Sequence, residues 1–278
     1  MTTTTPAPPR QAAAQLATVA ALLARDLRVL RTQSGQFLVR VVMQPLLLVF
    51  VFAYVFPKIG QGVTSRSGGS GGFTTILVPG LIAFVINFQG IQSVALPLVQ
   101  EFGFSREIED RVLAPVPVWM VGAGKMATGA IQSILAAAVV FPVVYLVHAR
   151  GAAPTVHIHN WLLFILVIVF SSLLGSAMGL LIGTIVEPRH INLLFSVIIL
   201  PITFLGCIYY AWATLSPIPW LKYLVLANPL VYMSEGLRAA LTPQLGHMPT
   251  WSFLLALTGG TLLLSMLALR KFQQRVLS

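Results

Sequence analysis

The sequence predicts an all-α, polytopic membrane protein with six transmembrane helices, on three observations. Of its 278 residues, 57% are hydrophobic and only 9% are charged, against roughly 25% charged in a soluble domain. Mean hydropathy is +0.88. The apolar residues fall in long continuous runs without the alternation of an outer-membrane barrel. Together these exclude an ordinary soluble globule.

A run of about 20 apolar residues, rising about 1.5 Å per residue, crosses the roughly 30 Å hydrocarbon layer. Six runs reach that length: Phe37 to Phe56, Ile76 to Val99, Val118 to Val147, Trp161 to Val186, Ile191 to Trp212 and Trp251 to Leu269. They make one transmembrane domain over residues 36–270. Ahead of it, residues 11–35 set Leu16, Val19, Leu23, Leu27 and Leu30 at spacings of three and four, with Arg25, Arg28 and Arg31 on the other side. That pattern is an amphipathic helix lying in the membrane interface. Residues 1–10, rich in Thr, Ala and Pro, read as a disordered tail and not as a signal peptide, and residues 271–278 as a cytoplasmic tail.

An even number of spans puts both termini on one side. Sorting the cations between the sides places Arg10, Arg25, Arg28, Arg31, Arg40, Arg106, Arg111, Lys125, Arg189, Arg270, Lys271 and Arg275 with the termini. Lys58, Arg66, Arg150, Lys222 and Arg238 fall opposite. Basic residues favour the cytoplasmic face, so both termini are predicted to be cytoplasmic. Gly68 to Gly72 then forms a flexible outside loop.

The net charge of +10 flanks apolar segments and does not form an aromatic-interleaved patch, so membrane lipid, not nucleic acid, is the predicted partner of these cations. Cys207 stands alone in the chain, which leaves no intrachain disulfide or cysteine metal site. Catalysis finds no apparatus either. Gly122, Ala123, Gly124 and Lys125 approach a phosphate-binding loop, but Trp119 and Met126 occupy positions where it needs Gly and Ser or Thr. Lys125 is instead expected to snorkel toward the cytoplasm. His157 and His159 have the spacing of a metal pair but no further ligand nearby. No cofactor is expected on this chain.

Ser171, Gly175, Gly179 and Gly183 recur every four residues along the fourth span, a smooth face for close approach of another helix in the same chain or a second subunit. Gln44, Asn87, Gln89, Gln92, Gln132 and Asn192 are polar residues within spans. Interhelical hydrogen bonding is the favoured role, and Gln44, Asn87, Gln89 and Gln92 are the candidates for a substrate path.

Between spans two and three, the loop from Gln100 to Pro117 carries Glu101, Arg106, Glu107, Glu109, Asp110 and Arg111. Phe104, Ile108 and Val112 recur every four residues, so a short helix here presents an apolar stripe beside a charged face, suited to a groove on a soluble partner. Between spans five and six, Ser216 with Pro217 and Asn228 with Pro229 each read as an N-cap followed by proline at the first helical position. The two implied helices, Trp220 to Ala227 and Leu230 to Leu241, are too short to cross and too apolar for water, so they are predicted to enter the outer leaflet and return. Glu235 and Arg238, three apart, can pair there.

Asn228, Pro229, Leu230, Val231 and Tyr232, followed after five residues by Arg238, together with the loop Glu101 to Arg111 closed by Ala114 and Pro115, resemble the permease subunits of ABC-2 type exporters. These are the membrane subunits of bacterial exporters of drugs, lipids or lipid-linked glycans. The resemblance spans nearly the whole chain. It implies that residues 11–35 form a connecting helix. It makes Glu101, Phe104, Arg106, Glu107, Ile108, Asp110 and Arg111 part of a coupling helix, and Asn228, Pro229, Tyr232, Glu235 and Arg238 part of an outer re-entrant gate. It also implies an ABC ATPase partner that binds ATP and Mg, and a second permease chain in a homo- or heterodimer. Phe204, Leu205, Gly206 and Cys207 depart from the Ser-Gly pair frequent in relatives.

Two other classes compete. A secondary transporter would place ionisable residues near the membrane midplane, where these spans hold almost none. An intramembrane enzyme would need a nucleophile and base at one depth, and His190 lies past the end of the span that carries Ser176. The scarcity of intramembrane charge favours an amphipathic or lipid-like cargo.

Overall fold

The computed structural model describes residues 24, 25, 28, 32, 34–55, 58, 71–105, 117–147, 156–190, 197 and 199–277. Among them all regular structure is helical. Helix α1 is Ser34–Val49 and continues as a π-helical turn, Phe50–Val55; α2 is Gly71–Gln100 and continues likewise over Glu101–Ser105. Then come α3 (Val118–Leu146), α4 (Trp161–Ile185), α5 (Leu200–Phe204), α6 (Pro219–Leu224) with a 3-10 turn Val225–Ala227, α7 (Pro229–Leu241) and α8 (Thr250–Leu277).

Four of the described helices are long and apolar enough to cross a membrane: α2 with its extension over Thr75–Gly103, α3, α4 and α8. They match the second, third, fourth and sixth predicted spans. The last runs unbroken past Leu269 to Leu277. The first predicted span is helical over 34–55. Within the fifth, the described α-helix stops at Phe204, and residues 205–210 turn and bend instead of continuing to Trp212. Cys207 stands in that turn at φ 53, a left-handed conformation that no α-helix accommodates.

Helix α2 is the centre of the bundle. In its most apolar stretch 72% of residues are buried, against 22% in α8, so the chain itself leaves most of the α8 surface uncovered. The most extensive helix contact joins α2 to α4, and the four-residue glycine repeat makes it. A Cβ on Gly175 would lie 3.3 Å from the Asn87 Cα, one on Gly179 2.7 Å from the Ile91 carbonyl oxygen, and one on Gly183 3.0 Å from the Ala95 Cα. The small face therefore belongs to an intrachain seam. Positions 87, 91 and 95 rise as 175, 179 and 183 rise, so α2 and α4 run parallel, with α3 crossing back between them.

Of the predicted interfacial helix, Ala24, Arg25, Arg28 and Thr32 are helical and exposed, and Ser34 and Gly35 already belong to α1; its other residues lie outside the described ones. So do Gly68 to Ser70 of the outer loop, while Gly71 and Gly72 already belong to the first turn of α2.

Candidate functional site

The segment between α5 and α8 begins with local chemistry. The Asn228 side chain accepts a hydrogen bond from the Leu230 backbone N–H at 3.0 Å, satisfying one of the orphan donors at a helix start, and Pro229 has no N–H to satisfy. The same side chain donates to the Ile202 carbonyl at 2.7 Å. One residue thus caps α7 and fastens it to α5. The Tyr232 hydroxyl donates to the Leu226 carbonyl at 2.8 Å, closing the joint between the two short helices.

The predicted cap at Ser216 is corrected. Ser216 sits in the helical region (φ −52, ψ −34) at the end of the 3-10 turn Trp212–Leu215, and its hydroxyl donates back to the Ala213 carbonyl at 2.9 Å. Helix α6 starts at Pro219 behind Ile218, which has no capping side chain. A residue before proline is driven out of the α region, and Ile218, at φ −125 and ψ 78, breaks the helical path there.

In the middle of α7, Glu235 and Arg238 are completely buried and ion-paired. Each has further partners. The Glu235 carboxylate accepts from the backbone N–H of Trp212 and from that of Met248, both at 2.9 Å. From Arg238, Nη2 donates to the Cys207 carbonyl at 3.2 Å. Burying two charges costs several kcal/mol for each ion; the pairing and these charge-assisted bonds offset it. The pair therefore ties three stretches to α7: the turn after α5, the start of the Trp212–Leu215 turn, and the approach to α8. Ser234 adds a bond to the Gly206 carbonyl at 3.0 Å, and His159 donates its N–H to the Ala240 carbonyl at 3.1 Å, joining the lead-in to α4.

Large aromatic residues surround this end of the bundle. Trp161 opens α4, Trp251 lies in the first turn of α8, and Trp220 and Tyr223 stand on α6; all four are exposed. Aromatic rings of this kind mark the water–lipid boundary. Lys222 lies over the Trp212 ring, 4.4 Å from its centroid.

At the opposite end, Glu101 lies in the π-helical turn after α2, where Lys125 approaches its two carboxylate oxygens at 2.6 and 2.7 Å. Lys125 thus ion-pairs with Glu101, and both side chains are largely covered. Phe104 is in the same turn; its side chain, and Arg106, Glu107, Ile108, Asp110 and Arg111, lie outside the described residues. Among the candidate path residues, Asn87 and Gln89 are buried in α2 and Gln92 is half-buried. The Asn87 Oδ1 atom and the Ser171 Oγ, both on the α2–α4 seam, have no hydrogen-bond partner among the described residues. The side chain of Gln44, and Asn192, are outside the described residues. Ser176 donates to the Ser172 carbonyl at 2.8 Å, whereas His190 lies beyond α4 beside Glu187, so they do not form a catalytic pair.

Sequence reasoning finds the Glu235–Arg238 spacing but not the backbone groups it holds, which are 13 to 31 residues away. A buried arginine with one carboxylate has donors to spare, and that surplus is the only signal of further acceptors.

The ABC-2 type transporter family model matches residues 17–242, from the interfacial segment through the Asn228–Arg238 clamp. The chain belongs to the ABC-2 type transporter family. It is similar to the inner membrane transport permease YadH of Escherichia coli strain K12, 29% identical over 206 residues that cover 72% of this chain and 75% of that protein. The YadH permeases of Escherichia coli O157:H7 and Shigella flexneri match to the same extent. As an ABC-2 permease, the chain is the membrane subunit of a transporter.

Proposed function

We propose that this permease is the transmembrane subunit of an ATP-driven exporter in the bacterial inner membrane, moving an amphipathic or lipid-like substrate out of the cytoplasm. The working unit has two permease chains and two ATPase chains, with ATP and Mg on the ATPases. Both termini are cytoplasmic, residues 11–35 lie along the inner interface, and the chain crosses six times. The segment 106–111 docks on the ATPase. Helices α6 and α7 form the re-entrant outer gate.

The observation that carries this reading is the Glu235–Arg238 clamp. It is a fully buried ion pair in a domain whose long helices carry few charges away from their ends, and it holds a short-helix hairpin against those ends. A charge paired with a carboxylate and bonded to backbone groups of its own chain suits a gate better than an ion-coupling site, which must exchange its partner during transport. Apolar helices with a few buried amides suit an amphipathic cargo.

The test is transport by the purified chain with its co-purified ATPase in inside-out vesicles. ATP-dependent accumulation of a fluorescent amphipathic probe is expected. Accumulation driven by an ion gradient without ATP, or absence of an ATPase from the native complex, would sink the proposal.

A further inference from the structure

Three residues beyond Glu101 and Lys125 complete a cluster at the far end of the bundle from the clamp. Phe102 follows Glu101 in the π-helical turn, and its ring lies 6.2 Å from that of Phe272, edge to face. The Arg275 guanidinium lies over the same Phe102 ring, 4.6 Å from its centroid, within the range of a cation–π contact. Arg275 also donates to the Thr184 carbonyl, one of the last four carbonyls of α4, which lack partners within the helix and sit at its negative end. Phe272 is completely buried, and a Cβ on Gly122 of α3 would meet its ring at 3.1 Å. The last turns of α8 are therefore packed structure.

The turn Glu101–Ser105 leads directly into the charged segment 106–111. It is held on one side by α3, through Lys125, and on the other by α8, through Phe272 and Arg275, with Arg275 reaching on to α4. A π-helical turn carries an extra residue, is frequent at functional sites and is one of the places where helices kink. Any displacement of segment 106–111 passes through this turn before it reaches α2.

We propose that Arg275 and Lys125 are positioning residues for energy coupling: they bind the exit of α2 to the ends of α3, α4 and α8, so that movement of the docking segment shifts all four helix ends together. The inference rests on the ATP-driven reading above. Arg275 acts through Phe102 and Thr184, Lys125 through Glu101, and neither touches substrate.

The experiment measures substrate moved per ATP hydrolysed by the permease–ATPase complex in proteoliposomes. Arg275→Ala is expected to co-purify with the ATPase in wild-type amount while the ratio falls about fivefold or more, the lower end of typical coupling between sites. Arg275→Lys, which keeps a cation over the ring, restores most of it. Glu101→Lys and Lys125→Glu each lower the ratio, and the double exchange recovers it. A wild-type ratio in Arg275→Ala and in both single charge variants overturns the inference. So does loss of the ATPase from Arg275→Ala with its return in Arg275→Lys, which would make the cluster an assembly contact. If the wild-type complex itself shows no ATP-driven transport, the exporter reading fails first, a result distinct from either.

Discussion

Gly179 lies so close to Ile91 that a methyl group on it would meet the Ile91 carbonyl oxygen at 2.7 Å. The oxygen belongs to the backbone of α2, which cannot turn away as a side chain would. Because both helices are long and contact each other along most of their length, relief at this point requires the two to separate. The seam is the structural axis of the domain.

Gly179→Leu is accordingly expected to destabilise the fold by about 1–3 kcal/mol or more, the usual cost of overpacking. At Gly259, in α8, an added methyl group would meet nothing within 4 Å, so Gly259→Ala should be neutral or slightly stabilising through helix propensity. Thermal unfolding of the two variants in detergent, followed by circular dichroism, makes the comparison. Equal melting temperatures would contradict the seam.

Asn228→Ala removes a cap worth typically about 1 kcal/mol together with the bond to Ile202. Arg238→Ala leaves Glu235 buried with its two backbone donors but no counter-charge, and breaking a buried pair costs roughly 3–5 kcal/mol. Both variants should retain the ATPase while export falls, Arg238→Ala by more. Co-purification and export assays on the single variants decide it: normal export in both would reduce the hairpin to a surface cover, and loss of the ATPase in both would point to global misfolding.

Reversing charge at Glu107 and Asp110 together should lower transport and complex assembly while membrane insertion stays normal. These residues flank the apolar Ile108 in the predicted docking helix, where a charge mismatch with a soluble partner costs most. Normal transport by the double variant would remove the segment from the mechanism.

Tags at the two termini should be accessible from the cytoplasm, and a tag inserted after Gly68, ahead of the first turn of α2, only from outside. Protease protection in sealed vesicles of known orientation measures this. Equal accessibility of all three would refute the six-span arrangement.

The class of protein, the limits of α3 and α4 to within a residue, the Asn228–Pro229 helix start and the Glu235–Arg238 spacing were all legible in the sequence. Each depends on interactions within one or two helical turns, where spacing along the chain is distance in space. Ser216 misled because its cap pattern was real but a second proline, Pro219, imposed the break at Ile218. Only the tertiary structure decided that the glycine face meets α2 of the same chain, that Lys125 turns to Glu101, and that Cys207 sits in a left-handed turn with its carbonyl held by Arg238. The partners of a smooth face or a buried charge are chosen by how whole helices cross. Residues separated by 24, 31 or 91 positions meet only because the bundle brings their helix ends together, which no local pattern encodes.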